Sequence, residues 1–299
     1  MPLKLISMSL SFGSSLSTYL KLTLLFAVLG GIFVALGYII GGIEIAGLFL
    51  LMAVGINFVM YFASDKMVMA STHAHIVDEN EAPRLHAIVA KLAYEAKIPK
   101  PKIAIVDSPQ PNAFATGRNK DHAIVAATTG LLNIMNDSEV EAVLGHEIGH
   151  VVHKDMLVAT VAASIATAIS YIGMIIMMLM LSGGGGRKGS GATALGAVIV
   201  APLAASFVRL AISRNREYYA DEASAILTKK PLSLISALSK IEGMIRRGAT
   251  LKTSPSTASL WIANPFRGSS MLELFSTHPT TEKRIKRLEE ITRKTGYSF

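Results

Sequence analysis

Two uninterrupted apolar stretches near the start of the chain limit its fold more than any other feature of the sequence. Residues 22–43 and 45–64 contain no charged side chain and are 22 and 20 residues long, with Glu44 between them. A helix of roughly 20 apolar residues spans the core of a bilayer, whereas the apolar part of a cleavable signal peptide has only about 7 to 15 residues. Because Gly41 and Gly42 allow a tight turn, the two stretches predict a retained hairpin of transmembrane helices.

A second apolar pair follows the middle of the chain. Residues 156–181 and 192–208 are also uncharged, and a glycine-rich linker over 182–191 joins them. The later stretch is short and contains Pro202, so a buried pair of helices inside a soluble domain is an alternative to two further crossings. We expect both stretches to cross, which gives four transmembrane helices.

The composition agrees with a membrane protein. Only 17% of the 299 residues are charged, 51% are hydrophobic and the mean hydropathy is +0.45, whereas about 25% charged residues is usual for a soluble domain. The predicted fold is therefore a mainly α integral membrane protein. Its predicted segments are an N-terminal cytosolic segment over 1–21, a transmembrane hairpin over 22–64, a polar block over 65–155, a second hairpin over 156–212 and a second polar block over 213–299.

The net charge of +8 lies mainly in the second polar block. That block has 15 Lys and Arg against 8 Asp and Glu, while the first block has 9 against 12. With four crossings, both polar blocks lie on the same side of the membrane as most of the basic residues that flank it. Only Arg187 and Lys188 lie on the opposite side. The positive-inside rule therefore places the blocks in the cytosol of a cell-membrane protein. Those flanking residues are Lys4, Lys21, Lys66, Lys154, Arg209, Arg214 and Arg216. A basic face against anionic lipid explains the charge, and no aromatic-interleaved basic motif indicates nucleic acid as a partner.

The chain has no cysteine, so any metal site must use histidines and carboxylates. Residues 146–150 read His-Glu-Ile-Gly-His within an apolar-striped segment whose first turn is acidic, which predicts a helix with Asp137 or Ser138 as its N-cap. At spacing i, i+4, His146 and His150 project from one face and can hold a single zinc ion. Glu147, rotated by about 100°, reaches the attacking water as general base.

Two alternatives accompany this motif. The histidines could be unconnected side chains on a helix, and His153 on the same face could be proposed as a further ligand. His153, however, lies about 10 Å along the helix axis from His146, too far for both to bind one ion comfortably. The third ligand is therefore expected from another segment of the chain.

Glu217 and Asp221 share one face of a predicted helix and are the best candidates for that segment. Glu217 would complete a His, His, Glu set, and Asp221 would accept a hydrogen bond that orients a ligand histidine. Acidic residues beside arginines more often form a solvated ion-pair face, so that alternative stays open on spacing alone.

Four motifs together resemble one family. They are His-Glu-Ile-Gly-His at 146–150, Glu-Tyr-Tyr-Ala-Asp at 217–221, Pro-Asn-Ala-Phe-Ala-Thr-Gly at 111–117 and Thr-His-Pro-Thr-Thr-Glu-Lys-Arg-Ile at 277–285. Their order, together with two apolar hairpins, is similar to the HtpX-type membrane zinc metallopeptidases, which are relatives of the Ste24 CAAX prenyl proteases.

The resemblance implies a cytosolic, gluzincin-like α+β catalytic domain with a small β-sheet. One Zn²⁺ per chain would be bound by His146, His150 and Glu217, with Arg284 paired to Asp221. His278 would lie near the zinc and donate to the oxyanion, although a histidine before proline is more often a capping or packing residue.

The resemblance also implies a substrate-binding strand at Asn112, Ala113 and Phe114. The plain interpretation of 112–116 and 122–127 is a β-hairpin, which is compatible with that function because an exposed strand edge pairs with an extended peptide. The remaining elements predicted from the pattern are helices over 84–96, 231–247 and 282–293 and a strand over 102–106. The long segment over 250–277 is either a lid or a disordered connection.

The predicted function is a membrane-embedded zinc endopeptidase that cleaves misfolded or membrane-associated proteins at the cytosolic membrane face. Protein quality control is favoured over prenyl-protein processing because the chain has few transmembrane segments. A zinc-binding but inactive scaffold is one alternative, and a transporter or receptor is another. The expected partners are unfolded or membrane-protein substrates and the lipid bilayer, and the oligomeric state stays open.

Overall fold

The computed structural model of the protein describes residues 3–166, 214–246, 262 and 279–297. Most of the second predicted transmembrane pair lies outside the described residues, as do His278 and all of the 250–277 segment except Ile262.

The first helix, α1 (Leu3–Thr72), is broken at Gly41 and Gly42. Gly42 has φ +68°, a backbone conformation that favours glycine. The two arms run antiparallel, since Nδ2 of Asn57 donates to the carbonyl of Phe26 at 3.3 Å. The predicted turn between the first two apolar stretches is therefore present.

Two parts of α1 are long and apolar enough to cross a membrane, namely Thr18–Ala35 and Gly41–Thr72. Only 22% and 17% of their most apolar windows are buried, which is unlike the core helix of a soluble protein. Within the described residues these are two of the four predicted spans, and the second continues to Thr72, past the predicted boundary at residue 64.

A four-stranded mixed sheet follows α1, in the spatial order β1, β2, β4, β3. β1 pairs antiparallel with β2, β2 pairs parallel with β4, and β3 pairs antiparallel with β4. The strands are β1 (Ala74–Ile76), β2 (Lys102–Val106), β3 (Ala113–Thr116) and β4 (Ile124–Thr128). The predicted strand over 102–106 and the predicted hairpin are both present, with a short 3₁₀ turn at Lys120–His122 between the hairpin strands.

Seven further helices complete the described architecture. They are α2 (Pro83–Ala96), α3 (Thr129–Ile134), α4 (Asp137–Val152), α5 (Asp155–Ala166), α6 (Arg214–Thr228), α7 (Pro231–Arg246) and α8 (Thr281–Thr295). The helices predicted over 84–96, 231–247 and 282–293 correspond to α2, α7 and α8.

The sheet is buried on both faces, and the period of two along its strands decides which side chain meets which layer. Ile103 and Val125 pack into the main core with α2, α4, α7 and α8. Phe114 and Ala126 face the opposite way and pack with Val68 of α1 and with α5. The sheet therefore lies between the motif-bearing helices and the apolar helices.

The N-cap of α4 is Asn136, so the expectation of Asp137 or Ser138 was wrong by one or two residues. Asn136 has an extended backbone, its side chain accepts from the N–H of Glu139 at 2.9 Å, and Glu139 accepts in return from the N–H of Asn136 at 2.9 Å. This reciprocal capping box satisfies two amides that the first turn leaves unpaired. Asp137 becomes the first helical residue, where its charge complements the helix dipole.

Candidate metal centre

The helices α4 and α6 cross at short range because glycines of α4 face α6. A Cβ added to Gly149 would lie 3.0 Å from Cα of Ala220 and 3.0 Å from Cβ of Ala223. A Cβ added to Gly145 would lie 3.1 Å from Oγ of Ser224. The two backbones therefore approach more closely than larger side chains would allow.

This crossing brings His146 and His150 of α4 to Glu217 of α6. The two Nε2 atoms are 3.2 Å apart. The Glu217 carboxylate lies across from both, with Oε2 3.5 Å from Nε2 of His146 and Oε1 3.6 Å from Nε2 of His150. One potential ligand atom from each residue lies within 4.8 Å of the others.

The chemistry of this donor set fits a metal cation. The Nε2 atoms of His146 and His150 are too close together for both to carry a proton that points at the other. Burial and Arg284 lower the pKa of His146, but hydrogen bonds that His146 donates to Asp221 and Glu217 outweigh both effects and raise it, so the surroundings favour positive charge at this point. Nitrogen and carboxylate oxygen are donors that zinc accepts, and three protein ligands are typical of catalytic zinc.

Asp221 and Arg284 support His146 from behind. Oδ1 of Asp221 lies 2.9 Å from Nδ1 of His146. Arg284 donates to the same carboxylate through Nε at 2.9 Å and Nη2 at 2.6 Å. Burial alone would raise the pKa of Asp221, but Arg284 and His146 lower it. An ionised Asp221 that accepts the Nδ1 proton leaves Nε2 of His146 free to bind a metal.

A second carboxylate, Asp155, lies behind His150. Its Oδ2 is 3.6 Å from Nδ1 of His150, and its Oδ1 accepts a hydrogen bond from Nη1 of Arg216. Spacing does not reveal this arrangement, because Asp155 lies past the end of α4 and Arg216 is 61 residues further along the chain. An acidic residue at the first position of an apolar helix, just after the histidine motif, was the one local signal.

Glu147 follows His146 on α4 and is 4% exposed. Burial raises the pKa of its carboxyl group above the ordinary value, a nearby Glu217 adds to that effect, and the two histidines oppose it. Glu147 adjoins His146 on the helix that carries both histidines, and its role as general base stays a prediction.

The strand β3 holds Ala113 and Phe114 at one edge of the sheet. The carbonyl of Asn112 accepts from the N–H of Thr128 at 2.9 Å. Because backbone groups alternate along an antiparallel pair, the N–H and C=O of Ala113 point away from β4. Phe114 is buried in the layer that contacts the apolar helices.

The side chain of Asn112 contacts Ile262. Its Oδ1 accepts from the N–H of Ile262 at 3.1 Å, and the carbonyl of Ile262 accepts from Nη1 of Arg284 at 2.6 Å. The structure thus connects the start of β3 to the residues behind His146. His278 lies outside the described residues, so its predicted position near the metal stays a prediction.

Comparison with known proteins identifies the family. The sequence model of peptidase family M48 matches residues 79–292. The chain belongs to peptidase family M48. Proteins named "Protease HtpX homolog" from Thermococcus kodakarensis and Pyrococcus furiosus are 44% and 46% identical to it, each over 94% of this chain and 98% of the relative. A further homologue with that name, from Burkholderia thailandensis, is 40% identical over 92% of this chain and 97% of its own length.

The M48 assignment confirms the resemblance to HtpX-type metallopeptidases, and the chain is a metalloprotease. The crystal structure of S. mikatae Ste24p is also similar, with a TM-score of 0.48 and 18% identity over 93% of this chain and 67% of that one. A metalloprotease requires a metal, and within the described residues His146, His150 and Glu217 are the group that could hold one.

Proposed function

We propose that this M48 protein is a zinc-dependent endopeptidase with one Zn²⁺ bound by His146, His150 and Glu217. The observation that carries the proposal is the convergence of one donor atom from each residue within 4.8 Å, at the crossing of α4 and α6. Zinc in such a set supplies Lewis acidity toward the scissile carbonyl and the attacking water.

The residues around the ligands have separate tasks. Glu147 takes the proton of the attacking water on its carboxylate and passes it to the leaving amine, so that no covalent intermediate is needed. Asp221 and Arg284 hold His146 in the tautomer that presents Nε2. His278, by its place in the family motif, is proposed to donate to the developing oxyanion.

The substrate chain is proposed to bind along β3. The N–H and C=O of Ala113 point outward from the sheet, but Ala113 is 0% exposed. An extended peptide therefore gains these two hydrogen bonds only when this edge opens, and it then pairs as a further strand on the sheet edge. Asn112 and Phe114 lie on either side of Ala113. Asn112 is held by its contact with Ile262, and Phe114 is held by packing against the apolar layer.

The substrates are proposed to be misfolded or membrane-associated proteins cut at the cytosolic face of the cell membrane, which is protein quality control. Two features support this. The mostly exposed apolar arms of α1 suit a bilayer, and the sheet packs directly on the apolar layer through Phe114, Val68 and Ala163. The excess of basic residues in the second polar block and at the membrane ends of both blocks supports the cytosolic side.

The test is cleavage of an unfolded model protein by detergent-purified enzyme whose metal content is quantified. We expect one zinc per chain, loss of cleavage after chelation and recovery when zinc is restored. Stoichiometric zinc without cleavage of any unfolded protein or membrane-tethered peptide would favour the inactive scaffold and contradict the proposal. Efficient cleavage of prenylated peptides alone would replace quality control by prenyl-protein processing.

A further inference from the structure

Asp155 is a nearly buried carboxylate whose two oxygens have different surroundings. It is 7% exposed and is the first residue of the apolar helix α5. Its Oδ1 accepts from Arg216. Its Oδ2 is buried, makes no hydrogen bond among the described residues, and lies 3.6 Å from Nδ1 of His150.

His150 has a proton to donate to Oδ2 of Asp155. His150 turns Nε2 toward His146 and Glu217, so a metal ligated there leaves the imidazole proton on Nδ1. A buried carboxylate oxygen is costly without a donor, and Nδ1–H is the donor that metal binding fixes in place. A small rotation of the His150 ring or of the carboxylate closes the present gap to hydrogen-bond length.

The same arrangement exists behind His146, and there the aspartate already lies within hydrogen-bond distance of the histidine. Arg284 holds Asp221, and Asp221 lies 2.9 Å from His146. Each candidate ligand histidine is therefore backed by an aspartate that an arginine holds. The set behind His150 is the more open one, because the His150 side chain is 16% exposed and that of His146 is 1% exposed.

We propose that Asp155, held by Arg216, is the positioning residue of His150 and sets the affinity of the metal centre. This inference rests on the proposed role of His150 as a metal ligand. It also connects the centre to the apolar layer, because Nη2 of Arg216 donates to Oγ1 of Thr18, at the start of the apolar segment Thr18–Ala35. The support of His146 comes from α6 and α8, whereas that of His150 comes from α5 and α6, with a further contact to the first arm of α1.

A purely structural role would give a different result. If Asp155 and Arg216 served only to fasten α5 to α6, their loss would lower the melting temperature and leave the folded metal centre unchanged. A role in positioning His150 changes metal affinity and ligand geometry in protein that remains folded.

The test compares wild type with Asp155→Ala and Asp155→Asn by zinc competition with a chromophoric chelator and by the visible spectrum of the Co²⁺-substituted protein. We expect Asp155→Ala to weaken zinc binding by about 10- to 100-fold and to shift the cobalt bands. Asp155→Asn should recover part of the affinity, because its amide oxygen still accepts from Nδ1–H. The matched control is Asp137→Ala. The side chain of Asp137 is 77% exposed and pairs with Arg84, so its removal should leave both readouts unchanged.

Two results separate failure of this inference from failure of the metal centre. Folded Asp155 variants with wild-type zinc affinity and cobalt spectrum, beside a His150→Ala variant that loses zinc, would overturn the inference alone. If His150→Ala binds zinc as wild type does, the proposed centre fails and the inference fails with it. Should Asp155→Ala not fold, the isosteric Asp155→Asn decides by the same criteria.

Discussion

Glu217 is the residue on which the proposed metal set depends, because it alone of the three comes from outside α4. It is 3% exposed and faces both histidine Nε2 atoms. We predict that Glu217→Ala weakens zinc binding by at least about 100-fold, more than loss of an outer partner typically costs. The measurement is zinc competition on detergent-purified protein.

The control for that substitution is Glu222→Ala, a less buried acidic residue on the same helix. It lies outside the ligand set and should bind zinc as wild type does. Equal zinc affinity of Glu217→Ala and wild type would exclude Glu217 as a ligand.

The site could be predicted in part from the sequence, and the limit has a physical cause. His146, Glu147 and His150 lie within one helical turn and a half, so local periodicity fixes their relation. Glu217 required the family motif, because spacing alone cannot say which helix packs on α4. Asp155 was missed because its relation to His150 depends on the turn at His153 and Lys154, where Lys154 has a positive φ of 61°.

Gly149 controls the distance between α4 and α6, and therefore between the two halves of the metal set. A Cβ at this position would meet the backbone of Ala220 at 3.0 Å and 3.2 Å, to Cα and O. We predict that Gly149→Ala destabilises the protein by about 1–2 kcal/mol, since overpacking exceeds the gain in helix propensity. Zinc affinity should fall as well, because Glu217 moves away from the histidines.

Thermal unfolding and zinc competition check this prediction. Gly47→Ala is the matched control, because an added Cβ at Gly47 meets nothing within 4 Å. A Gly149→Ala protein as stable and as zinc-avid as the Gly47→Ala protein would show that the helices do not need this close contact.

Glu141, on the same helix, stabilises α4 against its neighbours in a pH-dependent way. Burial raises the pKa of its carboxyl group, but Lys230 and Lys91 outweigh burial and lower it below 4.5, with Nζ to carboxylate distances of 2.7 Å and 2.6 Å. A lowered folded pKa gives stability that is present above the unfolded value and is lost as pH falls through the folded value. We predict that Glu141→Gln costs about 1 kcal/mol at pH 7, since Lys91 is half-exposed.

That difference should vanish on acidification through the folded pKa, as measured by denaturant unfolding of wild type and variant across pH. Glu95→Gln, on the exposed face of α2, is the control and should follow wild type throughout. A Glu141→Gln difference that stays constant down to strongly acidic pH would mean that the ion pairs do not contribute.

Elements with a strong local pattern were predicted well, and short elements were not. The strand Lys102–Val106 contains a short apolar run and lies between Pro101 and Pro109, so its bounds follow from the sequence. β1 has only three residues, and its pairing with β2 depends on tertiary packing rather than on a local sequence pattern. The cap of α4 was misplaced because Asn136, Asp137 and Ser138 are all good caps, and only the capping box with Glu139 selects the first.

At the scale of the whole molecule, the edge strand and the apolar helices form one connected unit. Oγ1 of Thr116 at the end of β3 lies 3.1 Å from Oγ1 of Thr160 in α5. A peptide bound along β3 therefore lies beside the helices that we propose to be in the bilayer. In proteoliposomes, we predict that a membrane-tethered substrate is cleaved at least about 10-fold faster than a soluble version of the same sequence, because tethering raises its effective concentration.

The matched condition is the same pair of substrates with enzyme in detergent. There the tether does not place substrate and enzyme in one bilayer, so the two cleavage rates should converge. Equal rates in proteoliposomes would contradict a membrane-proximal site.

The central claim, that His146, His150 and Glu217 hold a zinc ion while Glu147 moves the proton, is tested most directly by Glu147→Gln. Zinc content, folding and cleavage of an unfolded protein would be measured on the same preparations of variant and wild type. The account predicts one zinc per chain in both and cleavage reduced by about 10²- to 10⁴-fold in the variant, because glutamine keeps the size of the side chain and cannot accept the proton. Cleavage at the wild-type rate by zinc-loaded Glu147→Gln would contradict the account.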